Sequence, residues 1–176
     1  TGIGIYPGLG GTQRLTNRLG KGLARLLIYS GKAVNAAEMA TLGLVWRVVD
    51  ADVLDETLIQ ALKDAPKQVK VDSQEIPRPL RNISNFLGAV EVDGLLQGTV
   101  TLTGGQELIQ ITDKIRRKAP QALRSVATLT DLAVSDDLSA GLAAELAGMK
   151  AIFTTADARE GLSSVIERRR PKFQDC

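Results

Sequence analysis

Histidine is absent from the whole chain. That removes Ser-His-Asp and Cys-His nucleophile pairs, along with the commonest transition-metal ligand. Cysteine is almost absent as well: Cys176, the last residue, is the only one. An internal disulfide framework and zinc clusters of the usual kind go with it, and a reducing, cytoplasmic compartment is expected. Aromatics amount to one Trp, two Tyr and three Phe, too few to read Trp46 or Tyr6 as stacking platforms rather than packing residues. Charge is nearly balanced at +2, which gives nucleic-acid binding no support. No apolar run approaches the ~20 residues needed to span a bilayer, and the opening residues lack the pattern of a signal peptide. Any chemistry here has to use carboxylates, lysines, tyrosines or backbone amides.

What is present is an ordinary globular composition, 44% apolar and 24% charged over 176 residues, enough for one sizeable core. Most of the chain has helical spacing. Gly10 and Gly11 precede a helix from Thr12 to Leu19, Gly20 separates it from Lys21 to Tyr29, and Gly31 sits where a helix end wants a positive φ. Asn35 and Glu38 have capping-box spacing, with Val34 placed to staple onto Met39. The β-branched run Gly43 to Asp50 is expected to form one short strand.

A further helix is expected over Val53 to Leu62. From Ala65 to Arg81 the prolines 66, 77 and 79 mark a loop or linker, followed by short helical pieces at Asn82 to Leu87 and Glu91 to Leu96. Leu108, Ile111 and Ile115 share a helix face that ends at Arg116-Arg-Lys118, and Pro120 suits a first helical turn. Ser135 to Asp137 opens a helix with Leu138, Leu142, Leu146, Met149 and Phe153 on one side. Thr154 to Asp157 is a further N-cap, and the last helix runs to Arg168-Arg-Arg170 before Pro171. Three regions follow: 1–64, an inserted or linker segment 65–103, and a helical region 104–176. Apolar helix faces outnumber the layers available to cover them, so a sheet or a neighbouring subunit is expected to be missing.

Two features carry candidate chemistry. Gly2, Gly4, Gly8, Gly10 and Gly11 form a loop that either lets a ligand approach free amides at the following helix or is simply a strained turn. Its spacing matches neither a dinucleotide fingerprint nor a phosphate loop. The Arg168-Arg169-Arg170 cluster with Lys172 is either a solvated helix end or a phosphate site. Glu38, Glu145, Glu160 and the Asp136-Asp137 pair form no recognisable acid–base couple.

The order Tyr6-Pro-Gly-Leu-Gly-Gly-Thr-Gln-Arg-Leu15, Gly20-Lys21, Ser30-Gly31, Ala36-Ala-Glu38 and Gly43-Leu-Val45 resembles the enoyl-CoA hydratase/isomerase (crotonase) family. The likeness resumes at Lys118-Ala-Pro-Gln-Ala-Leu123 and runs through Glu145 and Phe153-Thr-Thr-Ala-Asp-Ala-Arg-Glu-Gly161 to Arg168-Arg-Arg-Pro-Lys-Phe173. The stretch from Arg81 to Gly98 resembles multifunctional fatty-acid oxidation enzymes that carry a fused dehydrogenase. The resemblance implies a mostly α chain, the C-terminal portion of the crotonase (ClpP-like) α/β fold, with a helical trimerisation layer plus about one short strand. It implies an acyl-CoA ligand, β-oxidation chemistry, no metal, and NAD only where a dehydrogenase is fused. The implied catalytic glutamates would lie upstream of Thr1, leaving no catalytic residue in this chain and making it silent by itself. Carried over onto residues present, Gly8, Met149, Phe153, Arg168 and Arg169 are the implied substrate contacts, and a trimer or hexamer is the implied assembly. A same-fold isomerase or hydrolase, or a non-catalytic helical oligomerisation module, are the rival readings.

Overall fold

The computed structural model describes residues 1–64, 76–103, 105–135 and 137–175. After a turn-rich opening segment come α1 (Gly11–Leu19), α2 (Lys21–Ser30) and α3 (Ala36–Thr41), then a 3-10 turn (Ala51–Val53) and α4 (Leu54–Asp64). Beyond residue 75 follow α5 (Arg78–Ala89), α6 (Val92–Gln97), α7 (Gly105–Ile115), α8 (Pro120–Ser135), α9 (Leu138–Phe153) and α10 (Ala156–Ile166).

The centre of the fold is α2, whose Leu23, Ala24, Leu26, Ile28 and Tyr29 are all buried. A helix apolar nearly all round must be surrounded, and α1, α5, α7 and α8 pack against it. Glycine makes the closest approach possible. A methyl group on Gly22 would run into the backbone carbonyl of Ser84 in α5, and Gly88 faces Gly22 across the same seam. Arg25, a charge buried against α5 and α8, is 3% exposed and spends its whole guanidinium. It donates to Thr130 Oγ1 (2.9 Å), Leu87 O (3.2 Å), Ala127 O (3.1 Å) and Asp131 Oδ2 (3.0 Å). A planar fork satisfies several acceptors at once, so one side chain ties α2 to α5 and α8.

The segment around residues 76–81 is partly helical rather than a loop. Pro77 caps α5 and Pro79 lies within its first turn, where a missing N–H costs nothing. Ile83, Leu87, Val92 and Leu95 of α5 and α6 are buried in the common core. The prolines thus start a helix here; the rest of the stretch expected as linker lies outside the described residues.

The expected strand at Gly43 to Asp50 does not form, and no strand occurs among the described residues. A strand needs a neighbour to accept its ladder bonds. Here the amides of Leu44 and Val45 turn back to Met39 O (2.9 and 3.3 Å) and close the end of α3. Trp46 and Val48 remain 45% and 49% exposed. The capping box is made as expected: Asn35 Oδ1 accepts from Glu38 N and Glu38 Oε2 from Asn35 N. Gly31 takes φ 63°, and Asp137 and Thr155 cap α9 and α10.

Helix α9 packs on a different side from the one its leucines define. Gly141, Glu145 and Ile152 are its buried residues, and Gly148 touches Tyr6. Gly141 lets Gln13 of α1, and Gly148 lets Tyr6 of the opening segment, lie close against the helix. Leu138, Leu146 and Phe153 are left 42%, 74% and 43% exposed.

Candidate functional site

The opening glycine segment is fastened to α9 and α10 from end to end. Gly4 and Gly161 each lie too close to backbone, that of Asp157 and of Ile3, to accept a side chain. Tyr6 Oη donates to Glu145 O (2.8 Å). Burial, then the adjacent Glu145 carboxylate, raises the Tyr6 pKa and keeps this donor protonated.

At Gly10 the backbone turns left-handed, φ 85°, and enters α1. Glu145, 2% exposed, answers the helix start. Its Oε1 accepts from Gly10 N (2.5 Å) and its Oε2 from Thr12 N (3.0 Å) and Thr12 Oγ1 (2.5 Å). A carboxylate at a helix N-terminus satisfies orphan amides and the dipole together. Of the two readings of this loop, free amides are not what the structure has: Gly10 and Thr12 give theirs to Glu145, and Gly11 N donates to Gly8 O (3.1 Å). What the loop offers is shape, with Leu9 99% exposed at its tip and held at φ 57°.

An open cleft of about 1000 Å³ lies beside this loop. Gly8, Gly10 and Gly11 form one edge. Arg14 and Arg18, a helical turn apart on α1, and Lys32 beyond α2 supply positive charge. Leu15, Leu27, Val34, Met39 and Trp46 give apolar wall, and no carboxylate lines it among the described residues. Arg18 Nε donates to Gly43 O (2.6 Å), pinning the turn that carries Trp46. Its Nη1 is buried and makes no hydrogen bond, leaving a donor unspent. Arg47 stacks on Trp46, 4.6 Å from the ring centroid. Such a surface suits a ligand that joins an anionic group to an apolar one.

The five residues implied as substrate contacts are divided by the fold. Gly8 lines the cleft and meets Met149, whose Cε lies 3.1 Å from where a Gly8 Cβ would sit. Phe153 is one turn further along α9 and half out in solvent. Arg168 and Arg169 follow the end of α10, away from the cleft lining. Arg169 is engaged by two carboxylates, Glu160 (2.5 and 2.7 Å) and Glu167 (2.5 Å), while Arg168 stands exposed at φ 54°. The hydrogen bonds from Arg169 and from Lys172 N push the Glu160 carboxyl down to about 2. Sequence reasoning missed Arg14, Arg18, Lys32 and Trp46 as cleft residues and Glu145 as the loop's anchor. The four-residue spacing of the two arginines was the one available signal.

Residues 1–80 match the enoyl-CoA hydratase/isomerase family, and enoyl-CoA hydratase homologues align across most of the chain. A probable enoyl-CoA hydratase of Mycobacterium bovis, echA8, is 29% identical over 97% of this chain and 47% of its own length. The 2,3-dehydroadipyl-CoA hydratase of Escherichia coli is 27% identical over 98% of the chain and 48% of itself. A short-chain-enoyl-CoA hydratase of Clostridium acetobutylicum reaches 38% over 46% of the chain and 32% of itself. The chain spans about half the length of the curated relatives that it matches end to end. No helix among the described residues is long and apolar enough to cross a membrane.

Proposed function

We propose that this chain is the acyl-CoA-binding, C-terminal part of a crotonase-type enoyl-CoA hydratase. The observation that carries the reading is the Gly8–Gly11 loop, anchored by Glu145 and opening on a cleft that is cationic at Arg14, Arg18 and Lys32 and apolar beyond. A coenzyme A thioester has both characters, phosphates at one end and an acyl chain at the other. Hydration of a 2-enoyl thioester needs an acid–base pair to deliver water and a proton, and donors that steady the enolate oxygen. The cleft's described residues supply charge and shape but no carboxylate, so this part binds and positions while proton transfer belongs elsewhere. Met149 and Phe153 then border an acyl-CoA site across a subunit boundary, and Arg168 meets phosphate there. Fatty-acid β-oxidation is the matching process, in a trimer or hexamer, with NAD relevant only where a dehydrogenase is fused.

Calorimetric titration of the purified chain with coenzyme A and crotonyl-CoA, alongside a hydratase assay, tests this. Binding without turnover is expected. Turnover would relocate the acid–base pair into this chain, and no binding at all would end the reading.

A second reading, a helical oligomerisation module without catalysis, is favoured by the apolar side left open on α9 and α10, where Leu146 and Ile166 are 74% and 83% exposed. Sedimentation separates it: self-association that leaves coenzyme A unbound would favour the module.

A further inference from the structure

The peptide group between Leu9 and Gly10 is gripped from both sides. Its N–H donates to Glu145 Oε1 of α9 (2.5 Å), and its carbonyl accepts from Arg14 Nη1 of α1. The bond is trans, and in a trans peptide those two groups point in opposite directions. Carboxylate and guanidinium therefore hold opposite edges of one plane. The backbone on either side is left-handed, φ 57° at Leu9 and φ 85° at Gly10. A leucine keeps that conformation only where its surroundings hold it there. Gly10 also has to be a glycine, since a methyl group on it would strike both the Arg14 guanidinium and Leu142 of α9.

Arg14 is the cleft cation that this clamp reaches. It is exposed and lines the cleft, and the bond to Leu9 O is the one hydrogen bond its guanidinium makes among the described residues. Lys32 and Arg18 are held by other groups, Glu38 and Gly43 O. An exposed arginine without an anchor has to be ordered when a ligand arrives, whereas an anchored one is ordered beforehand. Glu145 itself is 2% exposed and does not line the cleft, so any effect it has on a ligand there passes through other groups.

We propose that Glu145 is a positioning residue: through the Leu9–Gly10 peptide it holds the Arg14 guanidinium ready for the anionic group of a ligand in the cleft. The proposal rests on the acyl-CoA reading above for its ligand, while the coupling between the two side chains has a readout of its own.

The first arm is calorimetry with coenzyme A on the full chain, Glu145→Ala, Arg14→Ala and the double variant, each checked by circular dichroism and titrated below its melting range. Gly22→Ala is the control, destabilised at the seam between α2 and α5 and outside the cleft lining. Glu145→Ala should weaken coenzyme A about two- to tenfold, the range spanned by ordering one long side chain on binding. It should have no effect in the Arg14→Ala background, where no guanidinium is left to position, and Gly22→Ala should bind like the parent. No loss in Glu145→Ala, an equal loss in both backgrounds, or a comparable loss in Gly22→Ala overturns the proposal and leaves Glu145 a support of the fold alone.

The second arm needs no ligand. In NMR of the parent chain the two Nη groups of Arg14 should give separate signals, as a guanidinium held against rotation does. Glu145→Ala should average them and leave those of Arg18 as they were. Conversely, Arg14→Ala, a change at an exposed position, should speed hydrogen exchange at the Gly10 amide but not at Thr12, whose N–H uses the other carboxylate oxygen. If Glu145→Ala fails to fold, Arg14→Ala decides by itself, and unaltered exchange at Gly10 overturns the proposal. If coenzyme A does not bind the parent chain while both NMR effects are found, the positioning role stands and the acyl-CoA reading falls. If neither binding nor coupling is seen, both fall.

Discussion

Thr12 and Glu145, separated by 133 positions in the chain, share a hydrogen bond of 2.5 Å between Thr12 Oγ1 and Glu145 Oε2, with Thr12 N donating to the same oxygen at 3.0 Å. Helix α1 is therefore capped by another helix and not by its own preceding residue, since Gly10 has no side chain with which to cap. Glu145→Ala leaves two amides and a hydroxyl without an acceptor in a closed space. Each buried orphan costs about 1–3 kcal/mol, so the three together predict a loss of about 3 kcal/mol or more in urea unfolding. Glu145→Gln keeps one acceptor but turns an amide NH2 toward donors, and should fall between the two. An Ala variant within about 0.5 kcal/mol of the parent, a change typical of an inert surface site, would show that water replaces the carboxylate.

Gly22 tests whether α5 belongs to the core. Its hypothetical methyl group overlaps the Ser84 carbonyl, so Gly22→Ala forces α2 and α5 apart. Alanine gains about 1 kcal/mol in helix propensity, while overpacking costs about 1–3 kcal/mol. Net destabilisation is expected in thermal unfolding. A stabilised variant would mean that α5 is docked more loosely than the structure has it.

The elements visible in the sequence are those decided over a few residues. Asn35 and Glu38 are three apart and make their capping box whatever surrounds them. Gly31 needs only its own φ. The Gly43 to Asp50 run failed because β-branched residues make a strand only beside another strand, which nothing local reveals. Glu145 failed for the same reason at longer range: on α9 it is one acid among alanines and glycines, and its meaning lies in Gly10 and Thr12. The α9 leucines misled because they mark its most apolar side, whereas Gly141 and Gly148 mark the side that approaches another chain segment. Gly8 was legible through the loop. The cleft was not, because Arg14, Lys32 and Trp46 converge only once α1, α2 and the turn after α3 are folded together.

Tyr29 is buried at 1% exposure and its hydroxyl has no partner. Burial raises its pKa to about 12; Arg25 opposes the rise and Asp131 and Glu91 add to it. The neutral form is the one the fold favours. The associated stability is present below the ordinary value of 10.0 and is lost as pH climbs from there through about 12. Tyr29→Phe removes an unsatisfied polar atom together with this titration. It should leave neutral-pH stability unchanged or raise it by up to about 1 kcal/mol, and should blunt the alkaline loss in melts recorded from pH 9 upward. A clear neutral-pH destabilisation would mean that the hydroxyl has an acceptor after all.

At the other end of the scale, Glu160 holds the chain's final turn by accepting from Arg169 and from Lys172 N (2.7 Å). Its pKa drops from 4.5 to about 2, chiefly through the Arg169 hydrogen bonds. The contribution is complete above pH 4.5 and is lost as pH falls from there toward 2. Hydrogen exchange at the Lys172 amide should quicken over that window, and earlier in high salt, which screens exposed pairs. Glu160→Gln should bring the quickened exchange to neutral pH. Unaltered exchange in that variant would assign the turn's order to Asp157, which accepts from Gln174 N and Asp175 N (2.7 and 3.1 Å).

Arg18 and Arg168 offer two different places for an anion, and salt distinguishes them. Arg18 is fixed in the cleft by Gly43 O with Nη1 unspent, whereas Arg168 is exposed after α10. If phosphates of coenzyme A reach the cleft of the isolated chain, Arg18→Ala should weaken binding about tenfold or more, since a charge-assisted hydrogen bond contributes about 1.5–3 kcal/mol. Because a partly buried donor is poorly screened, most of that loss should persist in 0.5 M salt. Arg168→Ala should matter less in the isolated chain, and only at low ionic strength. The reverse ranking in calorimetry would move the phosphate site from the loop cleft to the end of α10.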